Sequence, residues 1–219
     1  MGVHVDGGMR GLMNVQVERL YKSERLSYDE LALVEFLTIG AHAVARSGLA
    51  AGEDALIVGA GPIGLSVLQF ALTAGATARI IEKVEFRRQF AARFGVEVLP
   101  EYDGRPASVV FDCTGDEAAI TDSFNRVGPA GRLVLVGQFL GFIPFAHTPF
   151  NRRALTIMAS RNSHHQFPRV IGMIERGEID LDQWITCRMP LAEVPDVFAG
   201  LASHKNYIKA VFEVQDSDV

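Results

Sequence analysis

Cysteine is scarce in this sequence, because Cys113 and Cys187 are the only two among its 219 residues. Two isolated cysteines form no C-x-x-C pair and are too few for a disulfide framework. Residues 1 to 20 also contain no apolar stretch of the kind that a secretory signal requires. We therefore expect a cytoplasmic location.

Long apolar runs and an excess of positive charge are missing as well. No run of eighteen apolar residues occurs, so the sequence predicts no membrane-spanning helix. The formal net charge of -5 argues against a nucleic-acid-binding surface. The hydrophobic content of 48% is sufficient for one large domain, or for one domain with an appendage.

The most informative stretch runs from Ala55 to Glu82. The apolar run Ala55 to Val58 has the length and β-branched content of a buried strand, and it leads into a G-x-G-x-x-G pattern at Gly59 to Gly64. A mostly apolar helix follows, and then a second strand, Ala78 to Ile81, ends in the acid Glu82. A strand, this pattern, a helix and an acid at this distance together predict a dinucleotide-binding unit.

Each residue of this unit has a physical role. The first glycine permits a tight turn, the second lets a pyrophosphate approach the backbone, and the third lets helix and strand pack closely. The helix N-terminus offers unpaired N–H groups to the phosphates, and Glu82 is placed to accept the hydroxyls of an adenosine ribose. The predicted phosphate-binding turn consists of Gly59, Gly61, Pro62, Ile63 and Gly64.

The residues around Glu82 bear on the choice of cofactor. A carboxylate after the second strand favours NAD, because the 2′-phosphate of NADP would meet its charge. Lys83 and Arg87 act in the opposite direction, since both can accept a phosphate. We expect NAD in preference to NADP.

The remaining pattern indicates an α/β fold with a doubly wound parallel sheet. Before the dinucleotide unit we predict a strand around Leu12 to Val17 and two helices, one from Ser27 and one from about Leu37 to Arg46. After it we predict helices at Glu85–Phe94, Glu117–Arg126, Phe167–Arg176 and Leu191–Leu201. We predict strands at Val96–Leu99, from Ala107, and at Arg132–Val136, Leu155–Ser160 and Ile208–Val214. A turn at Gly128 to Gly131 precedes the fifth strand, and a phenylalanine-rich loop follows it.

The connection between the third and fourth strands is unusually short. Residues 100 to 106 include Pro100, Gly104 and Pro106, which oppose a helix. Seven residues span at most about 25 Å, which is just enough to cross three strand spacings of about 14 Å in a 3-2-1-4-5-6 sheet. We predict an extended link and a sheet face that is partly uncovered.

Several of these motifs resemble zinc-containing medium-chain alcohol dehydrogenases, and most of all the branch that oxidises polyols and sugar acids. The resemblance begins in LSYDELALVEFLTIGAHAVARSGLAAGEDALIVGAGPIGLSVLQFA, residues 26 to 71. It continues through Val109–Gly115, Gly131–Gly137, Leu155–Asn162 and Tyr207–Val214. It implies a Rossmann fold and transfer of a hydride from a secondary alcohol to NAD.

The resemblance also implies parts that are not found here. Members of that family carry an N-terminal GroES-like domain that supplies the catalytic zinc ligands. We interpret residues 1–36 as a remnant of that domain with a linker, 37–180 as the Rossmann domain and 181–219 as a C-terminal return segment. Glu35 matches a glutamate beside the catalytic zinc, but Phe36 replaces the usual proline. A catalytic zinc needs about three protein ligands, so we expect no metal bound by this chain.

Further site residues follow from the resemblance. It places Thr114 and Gly115 beside the adenine, backbone groups of Val136 and Ser160 at the nicotinamide carboxamide, and Lys209 near the pyrophosphate. It also implies a homodimer formed through the edge strand Leu155–Ser160. The last strand returns to the missing domain in the family, so here it is expected to lack a sheet to join.

Three other residue groups have simpler interpretations. His164 and His165 resemble a ligand pair, yet adjacent residues rarely point the same way, so we interpret them as part of a solvated loop. His42 lies among alanine and valine in a helix and is expected to be packed or partly exposed. Cys113 ends a buried strand and is expected to be inert.

Two alternatives to a dehydrogenase stay open on the sequence. The chain could be a free-standing NAD-binding module without catalysis. It could also be a zinc-independent, quinone-reductase-like enzyme that uses NADPH, although Glu82 opposes that reading.

Overall fold

A computed structural model describes residues 6–201 and 206–214. Within these ranges the α-helices are α1 (Tyr28–Ser47), α2 (Pro62–Thr73), α3 (Glu85–Ala92), α4 (Glu117–Arg126), α5 (His147–Arg152), α6 (Phe167–Glu175) and α7 (Val194–Leu201). The strands are β1 (Asp54–Val58), β2 (Thr77–Ile81), β3 (Glu97–Leu99), β4 (Ala107–Asp112), β5 (Val127–Leu135), β6 (Thr156–Ala159), β7 (Ile185–Pro190) and β8 (Lys209–Glu213).

Six strands form one parallel sheet in the order β3-β2-β1-β4-β5-β6. The predicted 3-2-1-4-5-6 order and the doubly wound α/β class are confirmed. The strand order reverses between β1 and β4, and ligands of such sheets bind outside the carboxyl ends of the strands at this point.

The alternation of side chains along the strands supplies a core on each face of the sheet. On one face Ile57, Ile80 and Phe111 pack in a cluster with apolar residues of α1, α2, α3 and α6. On the other face Leu56 and Val110 pack in a cluster with α4. Because successive residues of a strand point to opposite faces, both faces of this buried sheet need apolar residues.

The prediction of two helices between Ser27 and Arg46 is wrong, because α1 is one continuous helix. Its first residue follows a capping box made by Ser27 and Glu30, and Gly48 ends it in the left-handed conformation. The helix is not interrupted between Glu35 and Leu37. Phe36 retains the N–H that a proline would lack, and its ring is buried in the core.

The strand predicted around Leu12 to Val17 is also not found. These residues are irregular, and a short 3-10 helix occupies Val17–Arg19. Leu12 and Val17 are largely exposed. A strand needs a neighbour for its hydrogen bonds, and none of the described strands pairs with this segment.

The fifth strand begins earlier than predicted. Residues 128 to 131, which we expected to form a turn before the strand, lie within β5. Its pairing with β4 shifts register between Ala107 and Val109, and Ala130 has a positive φ of 55°. An irregularity of this kind absorbs turn-forming residues without ending the strand.

The short link between β3 and β4 contains no helix, as predicted. Arg79 of β2 holds it in place, because its guanidinium donates to the Asp103 carboxylate at 3.0 Å and to the carbonyl oxygens of Arg105 and Pro106 at 2.6 and 3.1 Å. The sheet face beside the link is covered at β1 and β2, where Leu56 and Ile81 are buried. It is partly uncovered at β3, as predicted, because Glu97 is exposed and Leu99 is only partly buried.

The last strand does have a sheet to join, contrary to our expectation. β8 pairs in parallel with β7, a strand that the sequence analysis did not predict.

The predicted helix Leu191–Leu201 begins as a 3-10 turn and continues as α7. The phenylalanine-rich loop includes the short helix α5, and within this loop Phe145 stacks on Phe124 whereas Phe142 is almost fully exposed.

Candidate dinucleotide site

Most of the predicted site residues lie in series along the carboxyl edge of the six-stranded sheet. Main-chain hydrogen bonds join the residue that follows one strand to the last residue of the neighbouring strand: Gly59 donates to Ile81, Cys113 to Val58, Val136 to Asp112 and Ser160 to Leu135, at 2.8 to 3.0 Å. The residues after β2, β1, β4, β5 and β6 therefore follow one another across the edge. At about 4.8 Å per strand, this row extends about 19 Å from Glu82 to Ser160.

The turn after β1 has the geometry that its glycines predict. Gly59 has a positive φ of 94°, which favours glycine. A Cβ atom at Gly64 would lie 1.8 Å from the Gly59 carbonyl oxygen, whereas one at Gly61 would meet no atom within 4 Å. Gly61 is the N-cap of α2, and Pro62 occupies the first turn, where its missing N–H costs little. The space at Gly61 and the helix N-terminus beside Ile63 suit an anionic group.

Glu82 is tied to this turn by its side chain. One carboxylate oxygen accepts the main-chain N–H of Ala60 at 2.8 Å, and the other accepts that of Val84 at 2.7 Å. The residue is buried. The carboxylate therefore has a fixed position next to the glycine-rich turn, and each oxygen has a further lone pair with which to accept a hydroxyl.

Three basic residues follow Glu82, and they differ in their surroundings. Lys83 is exposed. Arg87 is half-buried, and its Nε atom has no hydrogen-bond partner among the residues described. Arg88, which the sequence analysis did not single out, donates to the carbonyl oxygens of Glu82 and Lys83 at 3.0 and 2.6 Å. No pattern in the sequence distinguishes Arg88 from Arg87.

Asp112 is a second residue that the sequence analysis did not assign to the site. It is buried at the end of β4, and one carboxylate oxygen accepts the N–H and the hydroxyl of Thr114 at 3.1 and 3.0 Å. Burial raises the pKa of the Asp112 carboxyl, and the hydrogen bonds from Thr114 partly oppose that rise. Asp112 thus holds Thr114 and Gly115 in place. The signal that could have indicated it is an acid that ends an apolar strand, two residues before Thr114-Gly115.

The main-chain N–H groups of Val136 and Ser160 donate to the carbonyl oxygens of Asp112 and Leu135 within the sheet. A contact from their main chain to a ligand would therefore have to use the carbonyl oxygens. The Ser160 hydroxyl is buried, and it has no hydrogen-bond partner within the described ranges.

The structure brings Lys209 of β8 together with α1. Its ammonium lies 4.9 Å from the centroid of the Phe36 ring, a cation–π distance. Burial lowers the pKa of the Lys209 ammonium, and the charge of Glu35 opposes that shift. Glu35, the proposed remnant of a zinc site, therefore has a cation in its surroundings.

A cluster of histidines lies beyond the end of β6. The His42 and His164 rings are 5.3 Å apart between centroids, and the His164 and His165 rings are 5.0 Å apart. Burial, together with the charges of His164 and Arg46, lowers the pKa of His42. Arg46 also donates to the Ala159 carbonyl oxygen at 2.5 Å, which joins α1 to this end of the sheet. His164 and His165 are exposed, and His42 is half-buried, as the sequence predicts.

Cys113, which follows β4, is a free thiol, and burial raises its pKa well above the usual range. Such a thiol is a poor nucleophile at neutral pH.

The described residues do not provide a zinc site. Across 6–201 and 206–214, no group of three or more His, Cys, Asp or Glu side chains is placed to hold a metal ion. A catalytic zinc requires about three protein ligands, which Glu35 alone cannot supply. In the same ranges, no helix has the length and apolarity to cross a membrane.

Comparison with known proteins gives consistent matches. The family model described as zinc-binding dehydrogenase matches residues 62–176. L-galactonate-5-dehydrogenase of Escherichia coli (strain K12) is 30% identical over 226 residues, which cover 96% of this chain and 66% of that protein. The chain thus spans about two thirds of the length of this curated relative.

Two solved structures are also similar. A putative zinc-binding dehydrogenase from Sinorhizobium meliloti 1021, bound to NADP, is 25% identical with a TM-score of 0.77, over 83% of this chain and 58% of that one. A short chain alcohol dehydrogenase from E. coli CFT073, complexed with NADH, is 21% identical with a TM-score of 0.91, over 97% of this chain and 67% of that one. At that identity, the second match is a likeness of fold.

Proposed function

Because this chain belongs to the zinc-binding dehydrogenase family, we propose that it is the NAD-binding part of a dehydrogenase that oxidises a secondary alcohol of a polyol or sugar acid. The observation that carries the proposal is the pairing of the Glu82 carboxylate with the N–H of Ala60, inside the glycine-rich turn. This contact supports the proposal, because it holds the acid next to the glycine-rich turn at the carboxyl edge, an arrangement that suits a ribose beside a pyrophosphate.

In this proposal the dinucleotide lies along the row of strand ends. Glu82 accepts the adenosine ribose hydroxyls, with Thr114 and Gly115 beside the adenine. The turn from Gly59 to Gly64 and the N-terminus of α2 receive the pyrophosphate, and Lys209 adds a positive charge. The carbonyl oxygens of Val136 and Ser160 are then available to the nicotinamide carboxamide. When bound, the nicotinamide supplies the acceptor for a hydride.

The preference for NAD over NADP rests on Glu82. A 2′-phosphate would approach a buried carboxylate whose position is fixed by two main-chain N–H groups. Lys83 and Arg87 favour the opposite choice, and the two solved relatives contain different nicotinamide cofactors. We propose NAD because the buried Glu82 carboxylate and a 2′-phosphate are like charges, and like charges at close range in a buried site repel strongly.

The domain boundaries, the metal and the substrate of the proposed enzyme rest on other grounds than the cofactor site. We propose residues 37–180 as the Rossmann domain, 1–36 as a remnant of the catalytic domain with a linker, and 181–219 as a return segment. Since the described residues do not fit zinc, we assign no chemical step to that metal here. Polyols and sugar acids are the proposed substrates because the relative that is 30% identical acts on a sugar acid, as its name states. The cytoplasmic location stays a prediction.

We further propose that two copies associate through β6. This strand ends the six-stranded sheet, so one side of its main chain has no neighbouring strand in the described sheet. Such an edge accepts another strand. Sedimentation velocity over a range of concentrations tests the proposal, and a monomer at every concentration would contradict it.

A calorimetric titration with NAD, and in parallel with NADP, tests the cofactor assignment. We expect saturable binding of NAD and weaker binding of NADP, and we expect Glu82→Ala to weaken NAD binding. Glu101→Gln, which alters an exposed carboxylate in the link after β3, serves as the control. Absence of binding to either cofactor, by a chain that circular dichroism shows to be folded, would refute the proposal.

An activity assay separates the remaining alternatives. Formation of NADH from NAD with a polyol or a sugar acid would support the dehydrogenase. Binding of NAD without turnover of any substrate would favour the binding module. Preferential binding of NADPH with reduction of a quinone would favour the reductase.

A further inference from the structure

Arg88 on α3 donates hydrogen bonds to the backbone of the turn that follows β2. Its Nη1 atom donates to the carbonyl oxygens of Glu82 and Lys83 at 3.0 and 2.6 Å, and its Nη2 atom pairs with the Glu85 carboxylate. The guanidinium therefore lies against the backbone of the turn, and it makes three polar contacts in all. These contacts use three of the five N–H donors of the guanidinium and hold it on the backbone of the turn.

The same turn is held from its other side by the Glu82 carboxylate. That carboxylate accepts the N–H of Val84, within the turn, and the N–H of Ala60, in the glycine-rich turn after β1. The position of the carboxylate thus depends on the backbone from Glu82 to Val84. Arg88 holds the carbonyl side of this backbone, and the Glu82 side chain holds its N–H side.

Discrimination between the two cofactors depends on how firmly this carboxylate is held. Repulsion between a carboxylate and a 2′-phosphate falls with distance. A turn that can move lets the carboxylate withdraw, and exposed Lys83 and half-buried Arg87 can then accept the phosphate. A backbone segment released from a single conformation gains conformational entropy, so the freed turn would adopt several arrangements.

We propose that Arg88 is a positioning residue that immobilises Glu82 and thereby sets the preference for a ribose without a 2′-phosphate. The inference rests on the proposed function, because it assumes that Glu82 meets the adenosine ribose. It adds a residue that does not touch the cofactor but acts through the backbone that carries Glu82.

Replacement of Arg88 by methionine tests the inference, because methionine retains an unbranched apolar side chain and removes every donor. We expect the ratio of NAD to NADP affinity, measured by calorimetry, to fall about tenfold, the equivalent of one hydrogen bond to a charged group. Arg88→Lys keeps the charge but has one donor nitrogen in place of three, so we expect a ratio between those of the wild type and Arg88→Met. Arg93→Met is the matched control: it removes one positive charge just after α3, where Arg93 lies 4.9 Å from the Phe90 ring centroid.

The outcomes separate this inference from the proposed function. If the wild-type chain binds neither cofactor, the proposed function fails and Arg88 has no preference to set. If the wild type prefers NAD and both Arg88 variants keep its affinity ratio, the inference about Arg88 alone is refuted. An equal fall of the affinity ratio in Arg93→Met would show that the effect comes from net charge alone, and this result would also refute the inference. Should Arg88→Met fail to fold, the ratio in Arg88→Lys decides: a ratio clearly between that of the wild type and unity supports the inference, and an unchanged ratio refutes it.

Discussion

Gly64 and Gly59 approach each other so closely that a Cβ atom on Gly64 would lie 1.8 Å from the Gly59 carbonyl oxygen. The contact joins the first turn of α2 to the end of β1. It sets the height of the helix N-terminus above the sheet edge, and therefore the place where a pyrophosphate can meet the free N–H groups.

Gly64→Ala should destabilise the fold by about 3 kcal/mol or more, because the added methyl group meets backbone rather than a movable side chain. Urea unfolding followed by circular dichroism measures the change. Gly61→Ala is the paired variant. A Cβ at Gly61 meets nothing within 4 Å and its φ of -69° suits alanine, so we expect stability to change by less than about 1 kcal/mol while NAD binding weakens. A stable Gly64→Ala chain would show that the packing is looser than described.

Glu82→Gln should lower stability by about 1–3 kcal/mol, because the amide group has one acceptor oxygen and cannot serve both Ala60 and Val84. One buried main-chain N–H would then lack its partner. Chemical denaturation at neutral pH provides the measurement. Glu101→Gln makes the same chemical change at an exposed position and should leave stability within about 0.5 kcal/mol of the wild type. Equal values for the two variants would contradict the role of Glu82 in the turn.

Arg79→Met should cost about 3 kcal/mol of stability, because it leaves Asp54, Asp103 and two carbonyl oxygens of the link without the cation that they share. The Arg79 side chain is only 6% exposed. Arg105 pairs with Glu97 and Asp103 in the same region but is 55% exposed, so Arg105→Met should lower stability much less than Arg79→Met does. The two midpoints of urea unfolding give the comparison. If Arg105→Met proved the more damaging, the link would not depend on the buried guanidinium.

Stability should fall as the pH is lowered through about 6.5, the ordinary pKa of histidine, and His42 should contribute to that fall. Burial and the neighbouring charges of His164 and Arg46 lower the pKa of His42 in the folded chain. The unfolded chain therefore binds more protons in this range, and protonation draws the equilibrium toward it. Denaturation at a series of pH values between 8 and 5 measures the slope.

His42→Phe keeps a ring beside His164 and should flatten that slope. His147→Phe, which replaces an exposed histidine on α5, controls for the loss of a histidine elsewhere. An identical pH dependence in the wild type and His42→Phe would show that His42 does not titrate between the two states.

Much of the sheet follows from local patterns. The runs at β1, β2 and β4 are apolar and bounded by glycine, proline or acidic residues, so their type and order were predictable, and the α4 bounds Glu117–Arg126 agree with the prediction. Errors occur where a contact distant in sequence overrides a local signal. Residues 128–131 look like a turn, yet pairing with β4 keeps them in a strand. β7 has little strand signal of its own and forms against β8.

The candidate site divides in the same way. Its glycine-rich turn and its acid are visible in the sequence, because backbone conformation and close approach restrict which residues can occupy them. Arg88 is not, because its role comes from hydrogen bonds to the backbone of a turn, which residue type alone does not reveal. Asp112 is marked only by its place as an acid at the end of an apolar strand. Whether Lys209 of β8 meets the dinucleotide stays a prediction.

The sequence by itself determined the family, the strand order and the glycine-rich turn with its acid, since each depends on residue type at short spacing. The tertiary structure alone decided that Arg79 holds the link between β3 and β4, that β8 has a partner strand, and that Glu82 binds the turn after β1. Those relationships join residues that are 22 or more positions apart. They form only when the packed sheet brings main-chain groups and charged side chains within hydrogen-bonding distance.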